Sequence, residues 1–305
     1  AEVIVPAGVR IEPGDPGVQL RVETEDGRRD RTDGVAWSVE PVGIVAIDPG
    51  GFVRALAAGE ATVRASRDGR TIATAAVTVS DPAGRGWDFA ADIVPILTRA
   101  GCNTGGCHGK ADGQNGFHLS LFGYDPAGDF AAIVRDRDAR RITKDDPEQS
   151  LLLLKASESV LHGGGVRLSI DSPGYETVLA WLEAGAPECD GTTHGKLLDV
   201  AVDPPSIWLD EPGARQLRVL ARFEDGHRRD VTRLASYRTN DDSAAVVDRN
   251  GRAKLLRRAE TDLIVRYASH VLAVRVGTPI HPDLRFDFAA LPRRGEIDTK
   301  LFARL

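Results

Sequence analysis

The chain has no methionine, only three cysteines, and no apolar run as long as the roughly 20 residues of a membrane helix. These 305 residues are therefore not expected to span a bilayer. Because 39 basic residues stand against 45 acidic ones, with a net charge of -6, the composition does not favour nucleic-acid binding. No HExxH, GxSxG or P-loop pattern is present, so no motif indicates a hydrolase or a nucleotide-dependent enzyme. The expected partner is a protein or a small molecule.

The chain also lacks an initiator methionine, because it opens on Ala1, Glu2 and Val3. Such a start is typical of a mature chain whose signal peptide has been removed, although trimming of a longer chain gives the same result. We therefore expect an exported protein, in the periplasm or at the cell surface. The last stretch, FDFAALPRRGEIDTKLFARL, is expected to open a further domain, which makes residues 279–305 a C-terminal tail.

Two distant segments of the chain repeat one pattern. EDGRRD at Glu25–Asp30 reappears as EDGHRRD at Glu224–Asp230. Short runs that alternate apolar and polar residues, such as VQLRVET and ATVRAS, are separated by Gly, Asp and Pro and predict strands. The sequence therefore predicts two small β-sandwiches, at residues 1–82 and 193–278, which are copies of one domain separated by an insertion.

The insertion, residues 83–192, shows helical spacing of apolar residues instead. WDFAADIVPILTRAGC leads directly into Cys102, Cys107 and His108, which lie in the run GCNTGGCHG. Two thiols followed at once by an imidazole form the CxxCH pattern of covalent haem attachment, here widened by two residues. On spacing alone the two cysteines also suit a small disulfide, or a zinc site that takes a further ligand such as Cys189.

Several motifs extend the haem interpretation to a family. The stretch FAADIVPILTRAGCNTGGCHGKADGQNGFHLSLFGYDP, followed by PEQSLLLLKAS, HGGG and YETVLAWLEAGAP, resembles the cytochrome-like regions of large planctomycete proteins. The flanking segments resemble bacterial Ig-like domains of group 2, which serve mainly as spacers and adhesive units in that family. The resemblance implies two all-β Ig-like sandwiches flanking a mainly α class I cytochrome c-like domain. It also implies one haem c, covalently attached.

The resemblance assigns Cys102 and Cys107 to the haem vinyl groups and His108 to the proximal position on iron. Because the chain has no methionine, His162 in LHGGGVRL is the expected distal ligand. Two further candidates for the distal position are His118 and Cys189. The residues expected to cover the haem edge or to pair with its propionates are Phe117, Leu121, Phe122, Trp181, Arg141 and Arg167.

These assignments predict an electron-transfer or haem-binding protein rather than an enzyme. One-electron transfer at low potential is expected, since two nitrogen ligands stabilise ferric iron more than a thioether does. The redox partner is expected to be another protein, and the Ig-like modules are expected to contact other domains of the parent protein. Two alternatives stay open: a haem that binds CO, NO or O2 at an open or labile sixth position, and a non-haem adhesive module stapled by zinc or a disulfide.

Overall fold

Strands fill both ends of the chain and short helices lie between them in the computed structural model, which describes residues 1–80, 86–189, 194–278, 287 and 291–302. We call residues 1–80 the first β unit, residues 194–278 the second β unit, and residues 86–189 the central segment. Each of the three has its own cluster of buried apolar side chains. The central segment, which contains the candidate functional site, therefore lies along the chain between two strand-rich units.

The first β unit is built from short strands in separate sheets. Its strands are β1 (Glu2–Val5), β2 (Gly8–Ile11), β3 (Val18–Gln19), β4 (Arg21–Thr24), β5 (Ala36–Glu40), β6 (Val45–Ile47), β7 (Phe52–Ala55), β8 (Gly59–Arg67) and β9 (Arg70–Val79). The largest sheet has the order β2-β9-β8-β5. Successive side chains of a strand point to opposite faces, so Ala61, Val63 and Ala65 of β8 all enter the core.

The second β unit repeats this arrangement. Its strands are β10 (Leu197–Asp203), β11 (Ser206–Trp208), β12 (Ala214–Gln216), β13 (Arg218–Phe223), β14 (Arg228–Asp230), β15 (Ser236–Thr239), β16 (Ala245–Val247), β17 (Arg252–Leu255), β18 (Glu260–Tyr267) and β19 (His270–Gly277). The sheet β11-β19-β18-β15 matches β2-β9-β8-β5, and in both sheets the first strand is parallel to the second. The repeat in sequence is thus a repeat in topology.

The central segment consists of short helices joined by turns. The helices are α1 (Val94–Ala100), α2 (Pro126–Phe130), α3 (Asp136–Ala139), α4 (Leu151–Ala156) and α5 (Pro173–Glu183). α1 ends at Gly101, whose φ of 80° is left-handed and favours glycine, and this turn delivers the chain to Cys102. α5 begins after Ser172, whose hydroxyl accepts a hydrogen bond from the Tyr175 N–H at 3.3 Å. Trp181 of α5 is fully buried in the central core.

The predicted fold class is wrong for the chain, which is mostly β, with 35% strand and 20% helix. The central segment is not the mainly α domain of a class I cytochrome c, because its helices are short; α5, the longest described helix, has 11 residues. Residues with positive φ interrupt the segment, among them Asn115 at 52° and Phe122 at 56°. A right-handed helix cannot continue through such residues, so the apolar spacing overestimated the helical content.

Several predicted limits fall outside the described residues. Two of the three predicted domain boundaries, 82/83 and 192/193, lie in the gaps at 81–85 and 190–193. Most of the predicted C-terminal tail, 279–305, lies outside as well, and within it the structure describes the short helix α6 (Glu296–Phe302). Across the described ranges, no helix combines the length and the apolar character that crossing a membrane requires.

The two β units meet through equivalent residues of the repeat. The backbone N–H of Gln19 donates to Asp230 Oδ2 at 3.1 Å, and the N–H of Gln216 donates to Asp30 Oδ2 at 2.6 Å. Gln19 and Gln216 have equivalent surroundings, since each side-chain amide donates to the carbonyl of the next residue at 2.9 Å. A reciprocal exchange of contacts is the mark of a two-fold interface, so the two units pair about an approximate two-fold axis.

Buried ion pairs reinforce this joint. Arg215 Nη2 lies 2.7 Å from Glu23 Oε1, and the two side chains are only 8% and 7% exposed. Arg252 Nη1 lies 2.6 Å from Asp30 Oδ2, on a carboxylate that is fully buried. A buried charge is costly unless its partner stays in place, so these pairs fix the position of one β unit against the other.

Arg229 of β14 connects all three parts of the chain. Its Nη2 lies 2.5 Å from Asp92 Oδ1 in the central segment and donates to the Gly14 carbonyl of the first β unit at 2.7 Å. Tyr267 adds a second tie, because its hydroxyl donates to the Ala91 carbonyl at 2.9 Å. Buried polar contacts therefore attach the central segment to the second β unit, and Arg229 joins that unit to the first.

Candidate functional site

A cavity of about 300 Å³ lies in the central segment beside the cysteine and histidine motif. Its wall combines apolar and basic side chains. The apolar ones include Leu97, Phe117, Leu119, Leu152, Leu168 and Val178, and the basic ones are Arg137, Arg140, Arg141 and Lys155. His108 and His162 also line the cavity; their rings are parallel to within 9°, with centroids 6.2 Å apart.

His108 is oriented by backbone contacts. Its N–H donates to the Cys102 carbonyl at 2.9 Å, and its ring Nδ1 lies 3.0 Å from the Phe117 carbonyl. A carbonyl only accepts, so this contact requires a proton on Nδ1, and the neutral ring then has its lone pair on Nε2. Burial lowers the pKa of His108, and the nearby His162 and Arg141 act in the same direction. His108 therefore favours the neutral form that binds metals.

His162 lies in the glycine-rich turn after α4 and has a matching contact. Its Nδ1 lies 3.1 Å from the Gly165 carbonyl, which again places the proton on Nδ1 and the lone pair on Nε2 in the neutral ring. Gly165 has a φ of 68°, and this left-handed conformation lets the turn fold back onto the ring. The two parallel imidazoles thus share one tautomer and one kind of support.

Both predicted attachment cysteines carry free thiols. Cys102 lines the cavity, and burial raises the pKa of its thiol to about 11, so the protonated and weakly nucleophilic form prevails at neutral pH. Cys107 is half-buried, and its Sγ lies 3.9 Å from Arg167 Nη2. The loop between them is closed by the Cys107 N–H, which donates to the Thr104 carbonyl at 2.9 Å. The disulfide of the adhesive alternative is not formed in this structure.

Phe117 and Arg141 are predicted site residues that do line the cavity. The Arg141 guanidinium lies over the Phe117 ring, 4.3 Å from its centroid, in a cation–π contact. Arg141 Nη1 also lies 2.9 Å from Asp136 Oδ2. Asp136 balances part of this charge, while the Arg141 side chain holds the aromatic wall in place.

The other predicted cover and propionate residues lie elsewhere. Leu121 is largely exposed, and the Phe122 ring packs against the Arg266 guanidinium of the second β unit at 4.1 Å. Trp181 is a core residue whose Nε1 donates to the Pro187 carbonyl at 2.9 Å. Arg167 lines a different cleft. These positions depend on turns such as the one at Phe122, whose left-handed backbone has no signal in the apolar pattern.

The candidates for the distal position separate clearly. His162 lines the cavity, whereas His118 and Cys189 are exposed and do not contribute to the described wall. Cys189 instead forms an isolated β-bridge with Asp88. Of the three candidates, His162 is thus the one that the described cavity wall includes, and its role as distal ligand stays a prediction.

Two basic residues of the cavity wall were missed by the sequence reasoning. Lys155 donates from Nζ to the Leu161 carbonyl at 2.6 Å, and helical spacing from Leu151 on α4 would have placed it on the cavity side. Arg137 has a φ of 52° within RDRDARR, and no sequence signal marks that turn. The site is therefore more basic than the sequence suggested.

The structure offers no support for the zinc alternative. Among the described residues there is no group of three or more His, Cys, Asp or Glu side chains placed to hold a metal ion. A zinc site in proteins takes three or four such ligands. The two histidines and Cys102 border one cavity without converging on a single point.

No family model and no curated protein matches the chain. Similar solved structures include the S-layer protein SbsC, domains 5-6, at 11% identity and a TM-score of 0.32, with 90% of this chain and 95% of that chain covered. The longer S-layer protein rSbsC(31-844) gives 8% identity and a TM-score of 0.24, with 86% of this chain and 23% of that chain covered. Human protocadherin-24 EC1-2 gives 9% identity and a TM-score of 0.21, with 91% and 97% covered.

The chain spans about a quarter of the length of the first S-layer structures it matches. TM-scores this low carry no argument for a shared function. The predicted family, a planctomycete cytochrome c-like domain flanked by Ig-like domains of group 2, is corrected, because no family model matches the chain and the described residues contain no group of side chains placed to hold a metal ion. The predicted function, low-potential electron transfer by a c-type cytochrome, is corrected with it, since the described residues show no such metal-holding group, and the non-haem adhesive alternative is the better supported of the predicted functions.

Proposed function

We propose that the chain is a rigid structural and adhesive module of a larger exported protein, acting in the periplasm or at the cell surface. The reciprocal hydrogen bonds between the two β units support this proposal most strongly. Gln19 binds Asp230 and Gln216 binds Asp30, so the two copies of the repeat pair with each other and are not independent domains. Such a module acts by holding surfaces at a fixed spacing, and it needs no reacting centre.

The chemistry of the joint favours one arrangement over a range of them. Inter-domain contacts that slide are usually polar and solvated. Here the side chains of Glu23, Arg215 and Asp30 are each less than 10% exposed. A shift of one unit by a single residue would leave these charges buried without partners, at a cost of several kcal/mol for each ion. The two β units therefore act as one body.

Amide hydrogen exchange of the whole chain tests this proposal. In a single body, the amides of Gln19 and Gln216 exchange only when the joint opens, so we expect strong protection at both positions. Two independently moving units would expose both amides without unfolding either core. Fast exchange at Gln19 and Gln216, with slow exchange in β8 and β18, would therefore refute the proposal.

We also propose an occupant for the cavity of the central segment. The predicted cofactor, one covalently attached haem c, is a proposal about these residues that does not depend on a cytochrome family. Three features fit a flat apolar group: the apolar wall, the parallel rings of His108 and His162, and the free thiols of Cys102 and Cys107. Bound haem supplies a redox-active iron. The chain would hold it through the two thiols and the two imidazole Nε2 atoms.

Intact mass spectrometry tests the haem proposal directly. The whole chain is expressed with a haem-attachment system, and we expect the mass of one haem added to the polypeptide. The double variant Cys102→Ser/Cys107→Ser should lose this added mass completely, because both thioether bonds need a thiol. Cys189→Ser is the matched control and should keep it. An unmodified wild-type mass, from cells that attach haem to a control protein, would rule the cofactor out.

A further inference from the structure

A second cleft, of about 660 Å³, lies where the two β units and the central segment meet. Five arginines line it: Arg54, Arg99, Arg167, Arg233 and Arg249. The carboxylates in its wall are Asp15, Asp48 and Glu176. The chain as a whole has a net charge of -6, so an excess of positive charge in one cleft is local and runs against the overall balance.

The carboxylates of this cleft do not neutralise all of its arginines. Arg233 pairs with Asp48 at 2.9 Å, and Arg54 lies 3.8 Å from Glu176. Asp15 belongs to another cluster, where its Oδ1 lies 2.9 Å from His227 Nε2. Within the part of the chain that the structure describes, no carboxylate lies within ion-pair distance of Arg99, Arg167 or Arg249. We call these three residues the unpaired arginines.

Arg99 and Arg167 contact neutral groups instead of carboxylates, and the contact of Arg167 is with the Cys107 sulfur. Arg99 donates to the Ala235 and Arg249 carbonyls and to Asn250 Oδ1, so its guanidinium is fixed without a counter-charge. Burial lowers the pKa of Arg99 to about 10, and the positive charges of Arg233 and Arg249 act in the same direction. The Nε of Arg167 is buried and has no hydrogen-bond partner. Both side chains are thus fixed donors with unused capacity.

The start of α5 adds to the positive character of the cleft. Ser172, Pro173 and Gly174 line it, and the N-terminus of a helix of this length carries a partial positive charge. Ser169 and Thr177 contribute hydroxyl groups to the same wall. The volume of about 660 Å³ exceeds what a single inorganic anion needs.

We propose that this cleft binds an anionic ligand of sugar size, with a carboxylate or phosphate group between the unpaired arginines. Arginine is the side chain best suited to this task, because its planar fork pairs with the oxygens of carboxylates and phosphates in two parallel hydrogen bonds. The hydroxyl groups of Ser169 and Thr177 match those of a sugar ring. The proposal is independent of the cavity at His108 and of its occupant.

Isothermal titration of the whole chain tests this site, with glucuronate, glucose 6-phosphate and uncharged glucose as probes at one ionic strength. We expect glucuronate or glucose 6-phosphate to bind and glucose not to bind; the stronger of the two acids identifies the preferred anionic group. Binding of neither acid, or equal binding of glucose, would overturn the proposal.

Variants locate the binding. Arg249→Gln should weaken the binding of the preferred acid at least tenfold, because it removes a charge-assisted hydrogen bond to the anionic group. Its side chain is exposed, so the variant is expected to fold. Arg167→Gln should have a similar effect, and Arg64→Gln, a surface arginine outside the cleft, should have none. Unchanged affinity in both cleft variants would place the ligand elsewhere and contradict the assignment.

Discussion

Replacing Arg229 with alanine is expected to lower the free energy of unfolding by about 3–5 kcal/mol, because it breaks a buried ion pair and leaves the partner behind. The Arg229 and Asp92 side chains are only 7% and 4% exposed. Without the guanidinium, the Asp92 carboxylate stays buried beside Asp88, and the Gly14 carbonyl loses a donor. Urea denaturation of the whole chain measures the change.

The neighbouring residue supplies a matched control. Arg228 lies on the same strand, β14, but points to solvent, so Arg228→Ala should change the free energy of unfolding by less than about 0.5 kcal/mol. The double variant Arg229→Met/Asp92→Leu removes both charges and should recover most of the lost stability. If Arg229→Ala costs no more than Arg228→Ala, the pair does not hold the three parts together.

Replacing Trp181 with alanine is expected to cost about 3–5 kcal/mol as well, for a different reason. Trp181 is fully buried at the centre of the core of the central segment, and its ring centroid lies 5.5 Å from that of Phe89. Alanine would leave a cavity that α5 cannot fill, since that helix is capped at Ser172 and tied at its other end through the turn at Gly185. It would also leave the Pro187 carbonyl without its donor.

A second tryptophan tests whether burial is the cause. Trp208 of β11 is 53% exposed, so Trp208→Ala removes the same side chain with a much smaller loss of buried apolar area. Urea denaturation should give a loss at least twice as large for Trp181→Ala as for Trp208→Ala. Equal losses would mean that the central core contributes little to the stability of the whole chain.

The sequence predicts local structure better than it predicts the contact between the two β units. The alternating run ATVRAS lies within β8, and the copies EDGRRD and EDGHRRD occupy equivalent turns, because strand pattern and turn residues act over a few positions. From the sequence alone, Asp30 and Asp230 are expected to be ordinary turn residues. Their reciprocal contacts with Gln216 and Gln19 join positions far apart in the chain, which no local pattern encodes.

The cavity lined by His108 and His162 shows the same difference between local contacts and contacts between positions far apart in the chain. The order Cys102, Cys107, His108 places three side chains close together because the chain itself connects them. The approach of His162 to His108 depends on the packing of α4 and on a turn of glycines, and no spacing rule measures it. The left-handed turn at Phe122 directs that ring to Arg266 of the second β unit. Positions set by such turns require the tertiary structure.

The proposal that the two β units form one rigid body is tested by amide exchange in the joint and in the two cores. NMR of the whole chain would follow the amides of Gln19 and Gln216 beside those of Val63 in β8 and Val265 in β18. We expect all four to share one free energy of opening, and Arg229→Ala to lower the value at Gln19 and Gln216. Rapid exchange at Gln19 and Gln216 in the wild-type chain, while Val63 and Val265 stay protected, would contradict the claim.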